Sequence, residues 1–361
     1  VIVATFHVGQ FMTSKALIPF FSILAISLAG CGGGTSKGGG GDVRQEIRAV
    51  GSSTVYPFAT VAAEVFTKDG KFTSPVIEST GTGGGIKLFC EGIGAKFPDI
   101  ANASRRMKKS EYEDCAKKGV KEIVEVQIGL DGIAFAEANN GLKMSLTPTE
   151  IYKALAANPF GKPNTAKNWS DVNPALPKVP ILVYGPPSTS GTRDALAELI
   201  LTKGCDSDPA MKALKDSDKD KHKDICTKVR DDGAYVDAGE NDNLIVSKVS
   251  ENPKAVGVFG FSFLEANLDK IKGIPMNGVA PTYASISDFS YPGARPLYIY
   301  VKSAHLASIK GLKEYAAAFA ASWGPDGALK KRGMVIAPDD VRAANAKIVE
   351  AMTPLDPTTL K

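Results

Sequence analysis

Along the chain, short runs of β-branched and apolar residues alternate with stretches whose apolar positions recur every three or four residues. The stretch EIRAVGSSTVYPFATVAAEVFTK (46–68) reads as a strand, a polar turn and a helix, with Val61, Val65 and Phe66 at helical spacing. SPVIESTGTGGGIKLFCEG (74–92) repeats the plan, its helix carrying Ile86, Leu88 and Phe89. PDIANASRRMKKSEYEDCAKKG (98–119) is a third case, with Ser110 expected as the N-cap of a charged helix. EIVEVQIGLDGIAFAEA (122–138) reads as strand, and TPTEIYKALAAN (147–158) as a helix capped by Thr147 or Thr149.

The clearest unit is KVPILVYGPPSTSGTRDALAELILTKG (178–204). A strand from Val179 to Tyr184 enters a Pro/Ser/Thr/Gly turn, and a helix from Arg193 follows with Leu196, Leu199 and Ile200 on one face. KAVGVFGFSFLEAN (254–267) is another strand, turn and helix, ARPLYIYVK (294–302) is a strand, and Ala307 to Thr353 read as helices. MKALKDSDKDKHKDICTK (211–228), with both signs of charge, reads as a solvated helix or loop pinned by Cys226. Strands that alternate with helices predict an α/β architecture with largely parallel sheets.

Three turns carry the candidate chemistry. GSSTV (51–55), TGTGGG (80–85) and STSGT (188–192) each combine glycine with hydroxyls between a strand and a helix. The first N–H groups of a helix have no partner within it, and the helix dipole there favours negative charge. Glycine lets the backbone come close, and Ser and Thr add hydroxyl donors. Three such ends converging would form an anion site that needs little formal charge. No GxxxxGK[ST] or GxGxxG spacing with a following acid occurs, so neither a P-loop nor a dinucleotide fingerprint is present. Arg105, after the strand of PDIANAS, and Arg193, in the first helical turn after SGT, are placed to clamp an oxyanion with a bidentate fork. Arg106 is expected in a surface ion pair.

The front of the chain has its own pattern. From Met12, the expected start, one lysine (Lys15) precedes an apolar run from Ala16 to Ala29, then Cys31 and a glycine-rich stretch. That layout is a secretory signal peptide over residues 1–31. LAGC resembles the lipobox of bacterial lipoproteins, which implies that Cys31 carries the lipid and that residues 32–44 are a flexible tether. Lys15 is the one formal charge before Cys31, so removing residues 1–31 takes the net charge from +4 to +3. That balance is too mild to point to nucleic acid. The hydrophobic share of 43% is that of an ordinary globular chain. Four cysteines remain, an even number that fits an oxidising compartment such as a periplasm. Three connectivities are possible, and spacing favours Cys90–Cys115 and Cys205–Cys226. No zinc-type spacing is present, and no metal or cofactor is expected.

The sequence is similar to the phosphate-binding proteins of bacterial phosphate ABC transporters, the PstS family. The similarity rests, in order, on VGSSTVYPF, GTGGGIK, DIANASR, LTPTEIYKAL, NWSDVNPALPKVPILVYGP, SGTRDA, NDNLIVSKVSENPKAVGVFGF and YPGARPLYIYVK. It implies a type II periplasmic-binding fold, in which crossing strands join two α/β lobes around a ligand cleft. The lobes are expected at 45–132 with 300–361, and at 133–299. It further implies a monomer that captures inorganic phosphate and docks on permease subunits, touching the membrane only through its lipid. By motif, the phosphate ligands are Ser53, Thr54 and the Val55 amide, then Thr82, then Ser190, Gly191 and Thr192, joined by Arg105 and Arg193.

Two departures from the family pattern matter. Members place an Asp where this chain has Arg105, and an Arg shortly before SGT where this chain has GPPST. Arg105 is expected to take over the cationic role. The acceptor of a phosphate proton, which discriminates against sulfate, then falls to a hydroxyl, Asp131 or Asp242. Binding of another tetrahedral oxyanion (sulfate, arsenate or molybdate) is the alternative. Catalysis is not expected: His7, His222 and His305 do not adjoin the Ser/Thr turns, so no serine has a base to activate it.

Overall fold

The computed structural model describes residue 44, residues 46–239 and residues 241–361. The signal segment, Cys31 and the glycine-rich stretch to residue 43 lie outside the described residues. Nine strands occur among the described residues: β1 (Arg48–Gly51), β2 (Val76–Ser79), β3 (Ile100–Ala103), β4 (Ile123–Ala138), β5 (Val183–Gly185), β6 (Tyr235–Asp237), β7 (Val256–Gly260), β8 (Ile271–Gly273) and β9 (Ala294–Lys302). Their order is β2-β1-β3-β9-β4-β7-β5-β6, with β8 paired to β4.

The sheet has two halves. β1 pairs parallel with β2 and β3, and β5 pairs parallel with β6 and β7. Between them lie two long antiparallel strands. β4 pairs with β9 along residues 123–132, then with β7 along 133–137. The expectation of largely parallel sheets therefore holds only in the flanks. A chain that leaves one βα half for the other and returns must do so on strands of opposite direction, and β4 and β9 are those strands. A register shift between Gln127 and Gly129 bends β4 just before it changes partners.

Each half has its own core. One is built on Phe135, Trp169, Leu196, Ile200 and Phe259. In the other, Phe58, Phe66, Ile299 and Phe319 pack on one sheet face, and Ile86, Phe89 and Tyr300 on the opposite face. On the helix Tyr56–Thr67 the buried positions are Phe58, Ala59, Ala62, Ala63 and Phe66, whereas Val65 is exposed and Val61 half-buried. The expected face is thus corrected at Val65, while Val61 packs partly buried against the core. Small alanines allow close approach of the helix Leu312–Ser322, which packs against this one. Leu88 likewise turns outward while Ile86 and Phe89 are buried.

Capping follows the sequence with one exception. The Thr147 hydroxyl accepts the Glu150 N–H at 3.2 Å, and the Glu150 carboxylate accepts the Thr147 N–H at 2.7 Å. Ser110 is not a cap: its helix starts at Lys109, and Glu111 reaches back to accept the Lys108 N–H at 2.9 Å. Cys90–Cys115 and Cys205–Cys226 are disulfides. The second pins the charged helices Pro209–Ser217 and Lys219–Thr227 to the body.

Candidate functional site

The three Ser/Thr/Gly turns each end a strand and open a helix. The first follows β1 and opens Tyr56–Thr67, the second opens Thr82–Phe89, and the third follows β5 and opens Gly191–Ala195. Glycine is required where these units touch. A Cβ on Gly85 would lie 2.3 Å from the Gly51 Cα, so the second helix reaches β1 only because both residues lack side chains. A Cβ on Gly191 would lie 2.4 Å from the Thr54 amide nitrogen, which makes the first and third turns direct neighbours across the two halves.

Two hydroxyls bridge that junction. Ser53 donates to the Asp194 carboxylate, and Thr54 Oγ1 donates to the Gly191 carbonyl at 2.9 Å. Beside them opens a cavity of about 500 Å³, lined by residues of both halves. Ser53, Thr54, Ser190, Gly191 and Thr192 line it together with Asp131 and Asp242. Ser190 caps its helix by accepting the Thr192 N–H at 3.2 Å. Asp242 opens the helix Asp242–Glu251, its Oδ2 3.5 Å from the Gly260 nitrogen.

The remaining expected ligands stand apart from the cavity lining. The Val55 N–H donates to Ser52 Oγ at 3.3 Å. Thr82 is buried, with Oγ1 2.9 Å from Ser104 Oγ and accepting the Ser104 N–H at 3.1 Å. Arg105 forms a two-pronged pair with Glu111, at 2.9 and 2.7 Å, and its Nη2 is 4.0 Å from where a Gly83 Cβ would sit, beside the second turn. Burial, the largest single influence, works against both charges of this pair, and the mutual hydrogen bonds together with the charge attraction outweigh it: the Arg105 pKa is raised and that of Glu111 lowered. Arg193 stacks over the Tyr235 ring at 4.2 Å and donates to the Pro186 carbonyl at 3.3 Å. Arg106 pairs with Glu125 at 2.8 Å.

Arg332, exposed, is the arginine that lines the cavity itself, and a second arginine that no motif marks, Arg295, lies buried at the junction beside it. Arg295, on β9, is 2% exposed. Its Nε donates to Asp131 Oδ2 at 3.1 Å, Nη1 to Glu198 Oε2 at 3.2 Å, and Nη2 to Thr54 Oγ1 at 2.6 Å. A signal for it exists in strand alternation: Arg295 shares parity with Leu297, Ile299 and Val301, the face that packs into the core. A charge on that face must find partners.

The histidines lie elsewhere. His222 contacts Asp206 at 2.7 Å, and His305 contacts Asp99 at 2.6 Å. Among the described residues, Cys205, His222 and Cys226 are close enough for a metal, but the two cysteines are joined in a disulfide. An open depression of about 600 Å³ by Thr147, Lys203 and Phe289 does not include any of the three glycine-and-hydroxyl turns, and Lys203 there already donates to the Pro292 carbonyl.

Residues 36–322 match the PBP superfamily domain. The chain is 35% identical to Protein SphX of Synechococcus elongatus over 266 residues, 72% of this chain and 68% of that protein. It is 32% identical to the phosphate-binding protein PstS of Staphylococcus saprophyticus over 297 residues, 81% of this chain and 80% of that protein. The chain belongs to the PstS family of phosphate-binding proteins. Among solved structures it resembles a possible phosphate binding protein from Planctomyces limnophilus, at 25% identity and TM-score 0.68, covering 86% of this chain and 99% of that one. Asp131 and Arg295 are an ion pair at the junction, where Asp194 and Glu198 also accept hydrogen bonds. No helix among the described residues is long and apolar enough to cross a membrane.

Proposed function

We propose that this protein is the solute-binding component of a phosphate ABC transporter, taking up inorganic phosphate outside the cytoplasmic membrane and handing it to the permease. In this reading two lobes, 45–132 with 300–361 and 133–299, close on the anion, and Cys31 anchors the protein by lipid at the periplasmic face through the tether 32–44. The observation that carries the reading is the meeting of the first and third Ser/Thr/Gly turns, from opposite halves of the sheet, at one cavity. Helix N-termini facing one another across a cleft favour an anion without demanding a free cation. The anion lies against Ser53, Thr54, Ser190, Gly191 and Thr192, with the second turn and Arg105 at its flank. Because ligand contacts from both lobes exist only in the closed form, phosphate shifts the protein toward closure, and the closed form docks on the permease.

The test is titration of residues 42–361, stripped of bound phosphate, with inorganic phosphate. A saturable heat at one anion per chain, with a smaller radius of gyration in solution scattering, is expected. No heat overturns the assignment. In cells, Cys31→Ser should move the protein from the membrane fraction to the soluble one.

A further inference from the structure

The hydrogen-bond roles at the junction are fixed by chemistry. A carbonyl oxygen can only accept, so Thr54 must spend its one hydroxyl hydrogen on Gly191. A guanidinium can only donate, so Arg295 Nη2 occupies one lone pair of the same oxygen. Arg295 cannot turn away, because it is buried and gripped by Asp131 and Glu198 from two other sides. What Thr54 has left for the cavity it lines is a lone pair.

Resting on the phosphate reading above, we propose that Thr54 is the selectivity-determining acceptor of the cleft and that Arg295 and Gly191 are the positioning residues that hold it in that role. The sequence pattern makes Thr54 a donor to the anion; the junction reverses this. A tetrahedral oxyanion that carries a proton at neutral pH, such as hydrogen phosphate or hydrogen arsenate, donates it to Thr54 Oγ1. A fully ionised one, such as sulfate or molybdate, meets lone pair with lone pair. A site built around a hydrogen bond rejects the analogue that cannot make it, because the buried group is then left unpaired. The acceptor role that other family members give to an Asp after β3 is thereby filled by a hydroxyl on the turn after β1, the neighbouring strand of the same half.

The experiment is competitive titration of residues 42–361 with phosphate, arsenate, sulfate and molybdate at pH 7.5, on the wild type, Thr54→Val, Thr54→Ser and Arg295→Met. The wild type should bind phosphate and arsenate and reject sulfate and molybdate. In Thr54→Val the phosphate-to-sulfate affinity ratio should fall by about tenfold or more, the scale of one hydrogen bond to a charged partner. Thr54→Ser should restore the ratio to within about twofold of wild type. Arg295→Met should lower it, but should have no further effect when combined with Thr54→Val. A folded Thr54→Val that keeps the wild-type ratio, or loses both anions equally, overturns the inference and leaves the phosphate reading standing. Should Thr54→Val not fold, the wild type still decides: molybdate or sulfate bound as tightly as phosphate overturns it. A wild type that binds no anion overturns the functional reading and this inference with it.

Discussion

Asp131 and Arg295 stand opposite each other on β4 and β9, in register, with Nε 3.1 Å from Oδ2, one residue before β4 leaves its pairing with β9. The pair sits where the two halves of the sheet are joined. Its arginine is buried, and its second carboxylate, Glu198, is the more exposed of the two. Removing Asp131 leaves a buried cation with one partner that water can reach. Such breakage is costly when the remaining charge is not free to leave. Asp131→Ala should lose about 3 kcal/mol in urea unfolding, toward the lower end for a buried pair because Glu198 remains. A loss below about 0.5 kcal/mol, the range of surface substitutions, would show that the pair does not support the fold.

Gly191 lets two backbones touch. Gly191→Ala puts a methyl group 2.4 Å from the Thr54 nitrogen, a contact that backbone atoms on both sides cannot relieve by rotamer change. The helix Gly191–Ala195 itself tolerates alanine well. The expected outcome is a phosphate affinity lowered by at least about tenfold, the scale of one hydrogen bond to a charged group, together with a lower melting temperature, because the methyl group meets backbone. Unchanged affinity would mean that the first and third turns do not need to meet.

Lys302 gives stability a pH dependence of its own. It is fully buried, donates to the Gly92 carbonyl at 2.6 Å, and lies 4.8 Å from the centre of the Phe89 ring. Burial pushes its pKa down from 10.5 to about 8, against the attraction of Asp99 and helped by Arg44. Below pH 8 the folded and unfolded states both hold the proton, and no slope arises. Between about 8 and 10.5 the unfolded chain binds the proton more tightly, so this group makes stability rise with pH. Lys302→Met should lack that rise. Urea unfolding of both proteins at about pH 7.5, below that window, and at about pH 8.5 and 9.5, within it, checks it. Parallel curves for the two would refute it.

The Cys205–Cys226 bridge closes a loop of 21 residues' separation around two highly charged helices with little core of their own. The chain-entropy estimate for such a loop is about 3 kcal/mol. Cys205→Ser with Cys226→Ser should lower stability by that order. Chymotryptic or tryptic cleavage should then begin within 209–227, read by mass spectrometry. Cleavage elsewhere first would show that the bridge is not what holds this segment.

Much of the candidate site was legible in the sequence because its parts are local. A glycine-and-hydroxyl turn between a strand and a helix is specified by a few adjacent residues, and all three turns open helices. The strand ARPLYIYVK and the long strand 123–138 follow from β-branched and aromatic content. Periodicity alone misjudged Val65, because several alanines on the same helix suit a close helix contact better than a valine does. Arg105 looked like the cleft cation from its place after β3, yet Glu111, six residues on, takes its guanidinium.

The sequence by itself determined the strand-turn-helix units around the three turns and the two cysteine pairings it favoured, but not the strands Tyr235–Asp237 and Ile271–Gly273 or the helix Asp242–Glu251. What it determined depends on residue type and short spacing, which a chain carries in any conformation. Only the tertiary structure decided which cation reaches the junction and which way its hydrogen bonds run. Arg295 meets Glu198, Asp131 and Thr54 across 97, 164 and 241 residues of chain. Thr54 is left with acceptor capacity alone once the Gly191 carbonyl of the other half has taken its hydrogen. A hydroxyl's role is set by its neighbours in space, and those neighbours exist only after β4 and β9 have brought the two halves together.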